Sequence, residues 1–121
     1  MNPFSNVNAR DVNHAVQVLS QVRRRGQQAV VSGGGTDLLG MMKERLLRPD
    51  VVVNLRNVKG LSSVAADASG VRIGALTTLA AIGRDPILLE RYPVLAEAAN
   101  SVGTPQIRNV GTLAGNICQR P

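Results

Sequence analysis

Apolar residues recur at helical spacing from Val12 to Val22. The segment that contains them starts at Asn8, a residue type that caps helices, and ends at Gly26, a residue type that ends them. This pattern predicts an amphipathic helix. Three consecutive arginines precede Gly26, and basic side chains in a last helical turn interact favourably with the helix dipole. The arginines therefore have an ordinary structural explanation.

A pattern of shorter apolar runs follows this helix. Residues 29–32 predict a buried strand that leads directly into three glycines, residues 38–47 return to helical spacing, and residues 51–55 predict a second strand. Because a helix separates the two strands, they are predicted to run parallel. The segment therefore predicts a βαβ unit.

The pattern changes after residue 60. Two short strands are predicted at residues 61–65 and 71–74, and the Asp, Ser and Gly between them are typical of a hairpin turn. Helices are predicted from about Thr78 onward, with Pro86 and Pro93 at positions where new helices can begin. The whole pattern predicts an α/β protein with two subregions.

Composition and charge limit the functions to consider. The chain has 121 residues, 44% of them hydrophobic and 18% charged, which is typical of a soluble globular domain. Its formal net charge of +6 favours an anionic ligand or an acidic partner. Nucleic acid is not predicted, because Phe4 and Tyr92 are the only aromatic residues and cannot form a stacking surface. A membrane span and a signal peptide are not predicted either.

The first candidate for chemistry is the segment Gly33-Gly34-Gly35-Thr36-Asp37. Three residues without Cβ let a phosphate approach the main chain, so that several N–H groups can point at it. Thr36 or Asp37 can cap the predicted helix, whose N-terminus attracts anions. The fingerprints of dinucleotide-binding Rossmann folds and of P-loops are absent. From these residues alone, the glycines either bind phosphate or only form a sharp turn.

A second glycine-rich turn spans residues 111–116, with Thr112 supplying a hydroxyl group. Two such turns in separate subregions suggest a ligand with two phosphates that is held from both sides. Four segments then resemble the FAD-binding subunit or domain of xanthine dehydrogenase, carbon monoxide dehydrogenase and related molybdenum hydroxylases. They are VSGGGTDLL at 31–39, VRIGALTTL at 71–79, TPQIRN at 104–109 and VGTLAGNI at 110–117.

The resemblance implies an α/β fold of the two-subdomain PCMH type that binds FAD. The expected subdomains are residues 1–57 and 58–121, the second of them incomplete at its C-terminus. Both glycine turns would then face the FAD pyrophosphate. The implied cofactor contacts are Ser32, Gly33, Gly34, Gly35, Thr36, Asp37, Leu38, Val102, Thr104, Gly111, Thr112, Gly115 and Asn116.

The resemblance also implies a role in electron transfer. A flavin subunit of this kind receives electrons from iron–sulfur clusters and passes them to an external acceptor, and FAD itself carries out the redox chemistry. The implied partners are a molybdenum-pterin large subunit and a two-iron iron–sulfur small subunit. A cytoplasmic location is expected, with export alongside a partner subunit as the alternative. Two other functions stay open: a different flavin-dependent oxidase or reductase of this fold, and a non-catalytic subunit-binding remnant.

The single cysteine, Cys118, lies in the ending NICQRP, which resembles flavin subunits of periplasmic aldehyde oxidoreductases. In that branch, a cysteine here would be the first ligand of an extra four-iron cluster. This sequence departs from the pattern because no other cysteine follows, so the cluster is possible only in a longer protein. For the chain as given, a free and partly buried thiol is the expectation.

Overall fold

The structure, a computed structural model, describes residues 1–119. The chain divides into two compact units, residues 1–59 and residues 60–121, named unit 1 and unit 2 below. The division falls two residues after the subdomain boundary expected from the sequence. No helix in the described part of the chain has the length and apolar character needed to cross a membrane.

Unit 1 contains a three-stranded parallel sheet and two helices. Its elements are β1 (Ser5–Asn8), α1 (Val12–Arg24), β2 (Ala29–Ser32), α2 (Leu38–Lys43) and β3 (Val51–Asn54). The strand order is β1-β3-β2, and β3 pairs parallel with both neighbours. The predicted parallel pair that flanks a helix, β2 and β3, is confirmed.

The start of α1 differs from the sequence prediction. The helix is capped by Asp11 and not by Asn8, because Asn8 is the last residue of β1 and pairs with Asn54. The Asp11 carboxylate accepts a hydrogen bond from the His14 backbone N–H (2.7 Å), and the His14 Nδ1 accepts one from the Arg10 backbone N–H (3.1 Å). These two bonds fix the helix start three residues later than predicted.

Each of the two helices in unit 1 is followed by a residue with a positive φ, a backbone conformation that a helix cannot continue through. After α1, Gly26 adopts a φ of +70°, as a glycine at a helix end can, and the predicted stop is confirmed. The predicted end of α2 at residue 47 is wrong, because the helix stops at Lys43 and Arg45 takes a φ of 58°. The Leu46 backbone N–H then bonds the Met41 carbonyl (2.9 Å), which closes the helix early.

Unit 2 begins with the hairpin β4 (Val64–Asp67) and β5 (Gly70–Ile73). The hairpin is confirmed, but its first strand starts later than the predicted residue 61. The same strand extends past the predicted residue 65 to Asp67, because the turn is short: the Asp67 carboxylate accepts hydrogen bonds from the backbone N–H groups of Ser69 (2.8 Å) and Gly70 (3.2 Å). This short turn sets the register.

Five short helices complete unit 2. They are α3 (Leu79–Arg84), α4 (Pro86–Arg91), α5 (Pro93–Ser101), α6 (Pro105–Arg108) and α7 (Leu113–Ile117). Pro86 and Pro93 are each the first residue of a helix, as predicted. Leu79, Ile82, Leu88 and Ala99 form the buried core of these helices.

Gly83 lets α3 and α5 approach closely. A Cβ at this position would collide with the Asn100 side-chain amide, whose Nδ2 donates a hydrogen bond to the Gly83 carbonyl (3.0 Å). We expect Gly83→Ala to lower the unfolding free energy by about 1–3 kcal/mol. Removing the obstructing amide with Asn100→Ala should reduce that loss. A double-mutant cycle of urea unfolding measures this, and additive effects would contradict the contact.

Candidate functional site

The first glycine turn connects β2 to α2 in unit 1. Gly33, Gly34 and Gly35 are half-buried, whereas Thr36 and Asp37 are exposed. Gly35 has a φ of +77°, a conformation that costs an L side chain about 1–2 kcal/mol. The glycine at this position is therefore required by the backbone.

The backbone of this turn has more open donors than open acceptors. The Ser32 carbonyl accepts a hydrogen bond from the Leu55 N–H (2.9 Å), and the Gly35 carbonyl accepts one from the Leu39 N–H (3.1 Å). Within the described residues, the N–H groups of the three glycines donate no hydrogen bond. Backbone N–H groups that are shielded from water need an acceptor, and these three glycines are half-buried. The turn therefore fits an anion such as a phosphate group of FAD.

The predicted helix cap beside this turn is only partly confirmed. Asp37 occupies the N-cap position of α2, but its side chain makes no capping hydrogen bond there, and Thr36 is not the cap. Because α2 has only six residues, its dipole adds little. The glycine N–H groups, and not the helix end, make this turn suitable for an anion.

The second glycine turn, residues 111–116, is tied into unit 2 by its own backbone. Gly111 and Thr112 are buried, and the Thr112 Oγ1 caps α7 by accepting a hydrogen bond from the Gly115 N–H (3.2 Å). Further bonds run from Leu113 N to Thr77 O (2.9 Å), from Ala114 N to Ala75 O (3.0 Å), from Leu79 N to Gly111 O (3.0 Å) and from Gly111 N to Ile107 O (2.6 Å).

This turn therefore differs from the first one, because most of its N–H groups are already used. Its glycines also allow close packing. A Cβ at Gly111 would lie 3.0 Å from the Ile107 carbonyl oxygen, and a Cβ at Gly115 would lie 3.0 Å from the Thr112 Oγ1. Gly115 itself is exposed, and the Asn116 side-chain amide bonds the Thr112 carbonyl (2.9 Å). A ligand can approach this turn at its exposed glycine.

Two other predicted contacts have clear places in unit 2. Thr104 is exposed and caps α6, since its Oγ1 accepts a hydrogen bond from the Ile107 N–H (3.3 Å). Val102 is half-buried and packs against the core of unit 2, while its carbonyl accepts a hydrogen bond from the Arg108 guanidinium (3.0 Å). The TPQIRN segment thus forms a capped turn that Arg108 ties to the preceding loop.

Cys118 is a free, exposed cysteine directly after α7. The expectation of a partly buried thiol is therefore wrong, because the short helix ends at the surface. No group of three or more His, Cys, Asp or Glu side chains suited to a metal ion exists among residues 1–119. Arg120 and Pro121, which belong to the ending that resembles aldehyde oxidoreductases, lie outside the described residues.

Two polar residues near the first turn were not predicted as site residues. Asn8 and Asn54 end β1 and β3 at the same register level as Ser32, the last residue of β2. The Asn54 Nδ2 donates a hydrogen bond to the Asn8 Oδ1 (3.1 Å). A sequence signal could have identified them. Both strands end in asparagine, and β3 lies next to the strand that leads into the first glycine turn.

Comparison with known proteins identifies the family of this chain. Residues 2–121 match the family described as the FAD binding domain in molybdopterin dehydrogenase. The carbon monoxide dehydrogenase medium chain of Hydrogenophaga pseudoflava is 37% identical over 108 residues, which are 89% of this chain and 37% of that protein. The xanthine dehydrogenase FAD-binding subunit of Escherichia coli O157:H7 is 38% identical over 92 residues, covering 75% of this chain and 32% of that protein.

Solved structures agree with these relatives. The carbon monoxide dehydrogenase of Hydrogenophaga pseudoflava matches with a TM-score of 0.89 and 36% identity, over 97% of this chain and 40% of that one. The α/β fold of the PCMH type is thereby confirmed. The chain spans about a third of the length of the curated relatives it matches. It belongs to the family of FAD-binding domains of molybdopterin dehydrogenases, and FAD is its cofactor.

Proposed function

We propose that the first glycine turn binds the FAD phosphates through the backbone N–H groups of Gly33, Gly34 and Gly35. The observation that carries this proposal is that these three half-buried glycines have N–H groups that donate no hydrogen bond within residues 1–119. Hydrogen bonds from backbone N–H groups to a charged oxygen are among the stronger ones in proteins. The other proposed contacts of this turn are Ser32, Thr36, Asp37 and Leu38.

The second set of proposed site residues lies in unit 2 and comprises Val102, Thr104, Gly111, Thr112, Gly115 and Asn116. Here the proposal rests on the exposed Gly115 and on the rigid hydrogen-bonded backbone behind it. Gly111 and Thr112 are buried and act by holding the shape of the turn. Val102 acts through packing, and the exposed Thr104 offers a hydroxyl group to a ligand.

We also propose that the whole protein is the flavin subunit of a molybdenum-containing dehydrogenase. Bound FAD supplies the redox chemistry, and the residues of this chain hold and orient it. The relatives named above are a medium chain and an FAD-binding subunit, which supports assembly with other subunits. The proposed partners are a molybdenum-pterin large subunit and a two-iron iron–sulfur small subunit, and the proposed location is the cytoplasm.

An activity assay tests this role. We expect the purified FAD-loaded protein alone to oxidise no aldehyde or heteroaromatic substrate, because the described residues contribute cofactor binding and not substrate chemistry. Its flavin should be reduced by a chemical reductant such as dithionite. Co-expression with an iron–sulfur subunit and a molybdenum-pterin subunit should give substrate-dependent dye reduction. Robust substrate turnover by the isolated protein would instead make it a self-sufficient flavin oxidase or reductase.

A further inference from the structure

The carboxyl end of the sheet in unit 1 carries a row of three uncharged polar side chains. Asn8, Asn54 and Ser32 end β1, β3 and β2, and the parallel register pairs Asn54 with both of the others. Side chains alternate between the two faces along each strand, and residues paired in register share a face. The three residues therefore form a line of amide and hydroxyl groups on one face, named the polar row below.

The polar row lies on the face of the sheet that α2 covers. Val30 and Val52, each two residues before a member of the row, share its face and pack with Leu38 and Met42 of α2. The polar row lies two residues closer to the carboxyl ends of the strands than this apolar layer. Because Ser32 leads directly into the first glycine turn, the turn begins at one end of the row.

Hydrogen bonds fix the orientation of the amides in the row. The Asn54 Oδ1 accepts a hydrogen bond from the Arg56 backbone N–H (3.0 Å), which can only donate, so the Asn54 Nδ2 must face Asn8. The Asn8 Oδ1 accepts this Nδ2 (3.1 Å) and that of Asn6 (3.2 Å). Within residues 1–119, no hydrogen bond uses the second amide hydrogen of Asn54 or the Ser32 Oγ.

We propose that the polar row extends the phosphate site of the first glycine turn, with the Asn54 Nδ2 donating a hydrogen bond to a phosphate oxygen of FAD. This inference rests on the proposed function of that turn. Three observations support it: the row adjoins the turn, its amide orientation is fixed, and it offers open donors at the carboxyl ends of parallel strands, where ligands of α/β folds bind. Asn54 is half-buried, so its donor is partly shielded from water.

Two substitutions at Asn54 separate a phosphate contact from a merely structural role. Asn54→Ala removes the donor and should lower the FAD affinity about tenfold, the usual worth of a hydrogen bond to a charged group. Asn54→Asp keeps the size of the side chain and the acceptor for Arg56, but it replaces the Nδ2 that donates to Asn8 by an oxygen and places a carboxylate beside a phosphate. A phosphate contact therefore predicts that Asn54→Asp binds FAD more weakly than Asn54→Ala even where the two variants melt at the same temperature without FAD, whereas a structural role predicts that the affinities follow those melting temperatures.

The experiment is a fluorescence-quenching titration of FAD with the wild-type protein and each variant. Asn6→Asp is the matched control, because it makes the same charge change on the same strand face two residues from Asn8, and it should bind FAD nearly as the wild type does. Two results would overturn the inference alone: an Asn54→Asp affinity at or above that of Asn54→Ala, or an equal loss in Asn6→Asp. Failure of the wild-type protein to bind FAD would overturn the proposed function as well.

Discussion

Replacing Gly74 by alanine should unfold unit 2. A Cβ at this position would contact the Leu61 carbonyl oxygen and would lie 2.5 Å from the Leu61 carbonyl carbon and 2.9 Å from the Ser62 nitrogen. These are backbone atoms, which cannot rotate away as a side chain can. Hydrogen bonds from Gly74 N to Ser63 O and from Leu76 N to Leu61 O, both 2.7 Å, hold the two segments together. We expect a loss of more than about 3 kcal/mol, beyond ordinary overpacking.

Thermal unfolding followed by circular dichroism and by tyrosine fluorescence measures this effect. Tyr92 is the only tyrosine and lies in unit 2, so its signal reports on that unit. Gly40→Ala is the matched control, because no heavy atom lies within 4 Å of its added Cβ and the residue is inside α2. It should stabilise the protein by about 0.5–1 kcal/mol. A Gly74→Ala variant as stable as the wild type would contradict the close approach.

The second large effect concerns the cofactor. Gly34→Val should weaken FAD binding by at least about tenfold. A branched side chain in the first glycine turn occupies space where a phosphate oxygen would approach the N–H groups. The loss of a hydrogen bond to a charged oxygen accounts for a decrease of this size in affinity. The fold should survive, since Gly34 lies outside the strands and helices of unit 1. Isothermal titration with FAD, alongside a melting curve without FAD, separates the two effects.

Gly40→Val serves as the control for this substitution, because it adds the same side chain to a glycine of unit 1 that is exposed and lies outside the first glycine turn. It should bind FAD like the wild-type protein, even though valine lowers helix stability slightly. If Gly34→Val kept its FAD affinity while Gly40→Val lost it, the phosphate contact would lie outside the first glycine turn.

Local sequence signals predicted much of this fold. The strand, glycine turn, helix and strand of unit 1 and the prolines at the starts of α4 and α5 all follow from hydrophobic spacing and helix chemistry. Strand β1 was missed, because its residues SNVN contain one apolar side chain and the strand is stabilised by pairing with β3, which lies far away along the chain. Tertiary pairing, and not local propensity, forms that strand.

The candidate site was predicted less completely than the fold. Glycine content marked both turns, yet only hydrogen bonding distinguishes the open N–H groups near Gly34 from the occupied ones near Gly115. No local signal shows that a Cβ at Gly74 would meet the backbone at Leu61, or that Asn54 stands beside Ser32. Such contacts join residues that are distant in sequence, so they become visible only after the chain has folded.

We propose that glycine turns of this chain bind the phosphates of FAD. Comparing the affinities of the protein for FAD and FMN in one fluorescence-quenching experiment tests this proposal. FMN carries one phosphate and FAD carries two, so contacts to a pyrophosphate predict that FAD binds at least about tenfold more tightly, the worth of one lost hydrogen bond to a charged group. Equal affinities for FAD and FMN would contradict the claim.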